Sequence, residues 1–151
     1  MQNLLLQYIL ERVFGNPKIF KFFQEKLLPK KYTIFKKELT KKYANLNDRV
    51  LDFACSTGHT SEVFPKENNN YIGLDINENH IKVAKSLYPN HLFLLTKKGE
   101  IPLDNDSISS ILCYSIFHHL SDEELNHILK EFKRILKTKG KIIISDQLPW
   151  K

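Results

Sequence analysis

From Asp48 onward the apolar positions fall into five short, nearly unbroken runs: Val50–Phe53, Tyr71–Leu74, Leu92–Leu95, Ile108–Tyr114 and Ile142–Ile144. Runs of this length without alternation suit strands that are buried on both faces. The segments between them carry helical spacing. Asn77 opens one that places Ile81, Ala84 and Leu87 on a single face and stops at Pro89. The clearest helix is 122–137. Ser121 with Glu124 makes a capping box, and Leu120 with Leu125 a hydrophobic staple around it. Leu125, Ile128, Leu129, Phe132, Ile135 and Leu136 form its expected buried stripe. Lys133, Arg134 and Lys137 suit its negative end, and Gly140 marks the stop. Strands alternating with helices predict an α/β fold built on a doubly wound, mostly parallel sheet of about five strands.

Residues 1–46 read differently. Leu5, Ile9 and Val13, with Leu6, Leu10 and Phe14, recur at helical spacing until Gly15-Asn16-Pro17. Ile19, Phe22, Phe23 and Leu27 make a second stripe, closed by Pro29, and 30–43 is a third amphipathic segment with Ile34, Phe35 and Leu39 expected inward. The expected organisation is a helical N-terminal cap over 1–46 and a nucleotide-binding type of domain over 47–151.

Composition adds two constraints. With 42% apolar and 26% charged residues the 151-residue chain reads as an ordinary globular protein. Its net charge of +6 sits entirely in the first 49 residues, where 11 Lys and Arg face 4 Asp and Glu; the remainder has 12 against 13. A solvated lysine-rich helical surface is the simplest account of that lead. An acidic substrate, nucleic acid or anionic lipid is the alternative partner, and for nucleic acid no aromatic-basic or groove-reading motif gives support. Cys55 and Cys113 are too few for a disulfide framework, so buried reduced thiols and a cytoplasmic location are expected. No run is long enough for a membrane span, and no third ligand accompanies His118 and His119 at metal-like spacing.

The chemistry concentrates in Val50-Leu51-Asp52-Phe53-Ala54-Cys55-Ser56-Thr57-Gly58 and in Asp75, which ends the second apolar run. A strand, a turn of small residues and a short helix let the backbone approach a ligand closely. A carboxylate about 20 residues further on accepts hydrogen bonds from ribose hydroxyls. This pattern suits an adenosine-containing cofactor, S-adenosylmethionine before others. A nicotinamide cofactor is disfavoured because Ala54, Ser56 and His59 occupy the three glycine positions of its fingerprint.

Four blocks resemble the class I S-adenosylmethionine-dependent methyltransferases, particularly those that modify small molecules. VLDFACSTG is similar to their first motif, YIGLDIN to the second strand, SSILCYSIFHHL to the fourth strand and its turn, and LKEFKRILKTKGKIIISD to the helix, Lys-Gly turn and fifth strand. Together they cover about 48–146. The resemblance implies a Rossmann-like sheet in which Asp52 orients the first loop and the backbone of Ala54, Cys55, Ser56 and Gly58 passes the methionine part of the cofactor. It further implies that Asp75 takes the ribose hydroxyls, Ile76 lies against adenine, and Tyr114 and Ser115 line the methionine end. His118 and His119 follow on the same turn and are the candidate bases for a hydroxyl acceptor. Asp146 either touches substrate or caps a loop. Phe14, Phe20, Tyr32 and Trp150 are candidates for the lining of an apolar acceptor pocket.

Three departures from the family pattern stand out. Ala54 and Ser56 replace glycines, which preserves close approach provided neither needs positive φ. Lys97 stands where an acid commonly contacts the adenine amine, leaving Glu100 or backbone to accept from it. The family sheet has seven strands, whereas this sequence stops just after the fifth, which implies an exposed edge at Ile142–Ile144 and either truncation or pairing with another chain. A non-catalytic methyltransferase-like module that pairs through that edge is the alternative function.

Overall fold

A computed structural model describes residues 30–67 and 69–146. The chain divides into two compact units, Met1–Phe35 and Lys36–Lys151. Of the first, only residues 30–35 are described. The stripes expected before Pro29, and Phe14, Phe20 and Trp150, lie outside the described residues.

In the second unit five strands form one parallel sheet in the order β3-β2-β1-β4-β5. They are β1 (Val50–Phe53), β2 (Tyr71–Asp75), β3 (Leu92–Leu95), β4 (Ile108–Tyr114) and β5 (Leu136–Ser145). The described helices are α1 (Lys30–Tyr43), α2 (Glu78–Leu87) and α3 (Asp122–Ile135), with 3-10 turns at His59–Val63 and Phe117–His119. The chain runs outward from β1 to β3, then returns to lay β4 on the other side of β1. That reversal opens a crevice at the carboxyl ends of β1 and β4, the usual ligand position in such sheets.

Successive strand residues point to opposite faces, which splits the core in two. Val50, Tyr71, Phe93, Leu112 and Tyr114 pack with Ile81 and Ala84 of α2 and with Leu39 of α1. Leu51, Ile72, Leu74, Ile111 and Cys113 pack with Ile128, Phe132 and Ile135 of α3. Each fully buried side chain of this size contributes roughly 1.5–3 kcal/mol. The runs therefore lack alternation because helices cover both faces.

Helix α3 begins with the expected capping box, Ser121 accepting from the Glu124 N–H and Glu124 accepting from the Ser121 N–H. Its end and its stripe differ from expectation. It stops at Ile135, and Leu136 already pairs with Ile108 in β5. Lys137 serves no helix terminus; its ammonium binds both oxygens of Asp48 at 2.7 and 2.8 Å. Leu129 is 40% exposed, because the sheet contact takes only the narrower stripe Ile128, Phe132 and Ile135.

Helix α1 also departs from its expected stripe. Ile34 and Phe35 are exposed, whereas Thr40 is fully buried. A hydroxyl was not an expected core group, yet its Oγ1 lies 2.9 Å from the Tyr114 hydroxyl and 2.8 Å from the Lys36 carbonyl. A buried polar group with partners is tolerated where an unpaired one is not.

Candidate functional site

The carboxyl ends of β1, β2 and β4 open into one cavity of about 1050 Å³. Asp52, Ala54, Cys55, Ser56, Asp75, Ile76, Tyr114, Ser115 and His119 line it, together with Lys97 and Glu100. The sequence candidates Gly58, His118 and Asp146 do not. Gly58 sits under the turn, where an added Cβ would lie 2.6 Å from the Phe93 ring and 3.3 Å from Ala84. His118 turns toward β5, its Nδ1 2.5 Å from Asp146 Oδ1. Tyr32 belongs to the first unit.

Asp75 organises the turn. One carboxylate oxygen accepts from the Ser56 N–H and the other from the Asn77 N–H, both at 2.8 Å. The ring of His80 lies 3.7 Å away. Burial pushes this carboxyl up, but the His80 imidazole and the two N–H donors outweigh it, leaving Asp75 below the usual carboxylate range. A carboxylate has about four acceptor positions, so the oxygen that accepts only from the Asn77 N–H retains capacity for a ligand hydroxyl.

Both replaced glycines in the turn have positive φ, 60° at Ala54 and 51° at Ser56. The proviso that neither position needs left-handed backbone is therefore not met. A side chain in that region costs about 1–2 kcal/mol, and here Asp75 and the ladder hold it in place. Ala54→Gly is accordingly expected to raise the unfolding free energy by about 1 kcal/mol in urea titrations; no gain would mean the turn relaxes without strain. Ser115 after β4 shares the conformation at φ 56°, so strained backbone flanks the crevice on two sides.

Asp52 is 2% exposed and accepts from the Tyr71 hydroxyl at 2.7 Å. Burial raises its carboxyl to about 6, against the opposing effects of Tyr71, Lys36 and Thr60 and with a further push from Asp75. Lys36, from α1, also lines the cavity, and burial holds its ammonium below the usual lysine range. The linkage follows from the sign of the Asp52 shift. A carboxyl whose folded value lies above its unfolded 3.8 contributes stability below that pH and loses it as pH rises through about 6. Relative to wild type, Asp52→Asn is expected to gain roughly 2 kcal/mol between pH 4.5 and 7.5. Denaturant melts of both proteins at the two pH values check this, and a flat difference refutes it.

The last part of the wall is the turn after β4. Asp146 accepts from the Phe117 N–H at 2.6 Å as well as facing His118, so it fixes the turn Phe117–His119. The His118 and His119 rings lie 3.9 Å apart, which sets His119 against the cavity and His118 behind it. Sequence reasoning missed Lys36, Thr60 and the Tyr71 hydroxyl. Nothing distinguishes Lys36 from its neighbours in a lysine-rich helix; only the fold turns it inward. Among the described residues no group of three or more His, Cys, Asp or Glu is placed to hold a metal ion, and no helix is long and apolar enough to cross a membrane. Cys55 and Cys113 are buried thiols, pushed up by that burial.

A doubly wound sheet with this crevice and a carboxylate at the end of β2 defines a nucleoside-binding α/β protein. Residues 51–144 match the family described as the methyltransferase domain, and the chain belongs to that family, the class I S-adenosylmethionine-dependent type. It is 28% identical over 104 residues to an uncharacterised methyltransferase of Oceanobacillus iheyensis, covering 69% of this chain and 49% of that protein. It is 31% identical over 125 residues to a ubiquinone/menaquinone biosynthesis C-methyltransferase of Rickettsia massiliae, covering 74% and 49%. The crystal structure of a methyltransferase from Archaeoglobus fulgidus shares the fold, with a TM-score of 0.68 at 24% identity over 86% of this chain and 59% of that one. The chain thus spans about half the length of these curated relatives. The cofactor is S-adenosylmethionine. The residues fit it: the small-residue turn opens onto the cavity, and Asp75 keeps acceptor capacity at its rim.

Proposed function

We propose that the chain transfers the methyl group of S-adenosylmethionine to a small-molecule acceptor. The observation that carries this reading is one cavity that gathers the β1 turn, Asp75 and the Ser115–His119 turn into a common wall. In it Asp75 takes the ribose hydroxyls and Ile76 lies against the adenine. The backbone of Ala54, Cys55 and Ser56 borders the methionine part, Gly58 keeps the turn low over Phe93, and Tyr114 and Ser115 close the end beside β4.

Bound there, the cofactor supplies an electrophilic sulfonium methyl. The protein's part is to align the acceptor in line with that carbon and to exclude water. With a hydroxyl acceptor, His119 receives the proton through its ring, while Asp146 and His118 fix the turn that presents it. The test is transfer of radiolabel from S-adenosylmethionine into fractionated cell extract. Label in the small-molecule fraction is the expected result; label confined to RNA or protein overturns the acceptor class.

One observation favours a second reading, a partner-dependent module. Strand β5 is an edge strand among the described residues, and Ile144 on it is 52% exposed. Such an edge invites pairing with another strand. Light scattering separates the two: a concentration-dependent dimer supports pairing, and a monomer that turns over substrate excludes the need for it.

A further inference from the structure

We propose that Glu62 is a positioning residue that latches helix α1 to the turn after β1, so that filling the cavity and docking the helix favour one another. This rests on the cofactor reading above and adds to it a coupling between two parts of the cavity wall.

Glu62 joins three elements. It stands in the 3-10 turn His59–Val63, which continues directly from the small-residue turn. One carboxylate oxygen binds the Lys37 ammonium of α1 at 2.5 Å. The other accepts at 2.6 Å from the hydroxyl of Tyr88, the residue that follows α2. His59 Nδ1 lies 2.8 Å from that hydroxyl and 3.6 Å from the same carboxylate oxygen. Burial pushes the carboxyl up, but Lys37 and Tyr88 outweigh it and hold Glu62 below the usual carboxylate range.

Each contact leads on to the cavity. Thr60, two residues before Glu62, lines it. The Ser61 N–H donates to the Gly58 carbonyl at 2.9 Å, and the Gly58 N–H to the carbonyl of Cys55, another lining residue, at 3.0 Å. Tyr88 packs 6.5 Å from Phe93, the ring that fills the space beside Gly58. On α1, Lys36 lines the cavity next to Lys37, and one turn further on Thr40 bonds to Tyr114, a lining residue of β4. Helix α1 is thus held on two sides of the crevice, at β4 through Thr40 and at the turn through Lys37.

The two attachments differ in kind. The Thr40–Tyr114 contact is buried, whereas the Glu62 side chain is 44% exposed. An exposed ion pair contributes little to stability, so this attachment opens at small cost while the buried one stays. A ligand that touches both the turn and the α1 wall holds the latch shut. By the same linkage a shut latch slows the ligand's escape.

The test is the dissociation rate of S-adenosylhomocysteine in stopped flow, with thermal melts of the free proteins beside it. Glu62→Gln and Lys37→Met are each expected to speed dissociation about threefold to fivefold. The double variant is expected to be no faster than either single one, because both remove the same contact. Lys37→Arg, which keeps the charge, is expected to stay close to the wild-type rate. Melts near that of wild type report that the variants are folded. An unchanged rate in Glu62→Gln overturns the latch, as do additive effects in the double variant or a faster rate that merely tracks lost thermal stability. Wild-type protein that does not bind S-adenosylhomocysteine overturns the cofactor reading itself, a result distinct from these.

Discussion

Gly58→Ala is expected to lower the unfolding free energy by about 2–5 kcal/mol, the largest stability effect in the cofactor turn. Two separate costs add. The residue has φ 78°, where an L side chain costs about 1–2 kcal/mol. The new Cβ would lie 2.6 and 2.7 Å from two atoms of the Phe93 ring, and overpacking of a tight site costs typically 1–3 kcal/mol. Phe93 is fully enclosed and cannot swing away. It also fills the space beside Gly73, where an added Cβ would meet it at 2.5 Å and Cys55 Sγ at 2.8 Å. One aromatic side chain from β3 thus occupies the room left by two glycines. Urea melts measure the loss, and adding Phe93→Leu to Gly58→Ala is expected to recover the overpacking share while the φ cost remains. A loss below 1 kcal/mol would show that the turn yields more easily than its packing implies.

Asp75→Ala is expected to weaken S-adenosylhomocysteine binding about tenfold to a hundredfold, since hydrogen bonds to a charged acceptor contribute about 1.5–3 kcal/mol. The carboxylate acts twice here. It offers the ribose its spare acceptor positions, and it anchors the Ser56 and Asn77 N–H groups. Ser56 is itself in left-handed backbone, so without Asp75 the turn loses the contact that holds it there. The same variant is therefore expected to melt earlier than wild type. Unchanged calorimetric affinity would remove Asp75 from the cofactor site even if the stability fell.

Much of the sheet was legible because period and length are local. Val50–Phe53, Leu92–Leu95 and Ile108–Tyr114 are strands with the bounds that the apolar runs mark. The capping box at Ser121 is likewise a local rule, spanning the four residues from Ser121 to Glu124, and it holds. The end of α3 was not legible. Lys137 and Gly140 look like the end and stop of a helix, but β4 offers Leu136 a ladder partner that no local signal announces. The inward stripe of α1 failed for a similar reason. Thr40 earns burial through Tyr114, a residue 74 positions away.

The site divides along the same line. Asp52, the small-residue turn and Asp75 could be named from spacing, because a strand end and the turn after it fix where such residues stand relative to a parallel neighbour. The separation of His118 from His119 could not be. Adjacent residues of one type look equivalent in sequence, and it is Asp146 at the end of β5 that assigns them different faces. The sequence by itself determined the alternation of strands and helices, the family and the carboxylates of the crevice, since these follow from short-range pattern. Only the tertiary structure decided that Ala54 and Ser56 are strained, that Lys36 lines the same cavity as Asp52, and which histidine meets that cavity. Each of those depends on contacts between segments far apart in the chain, whose energies no local stretch of residues contains.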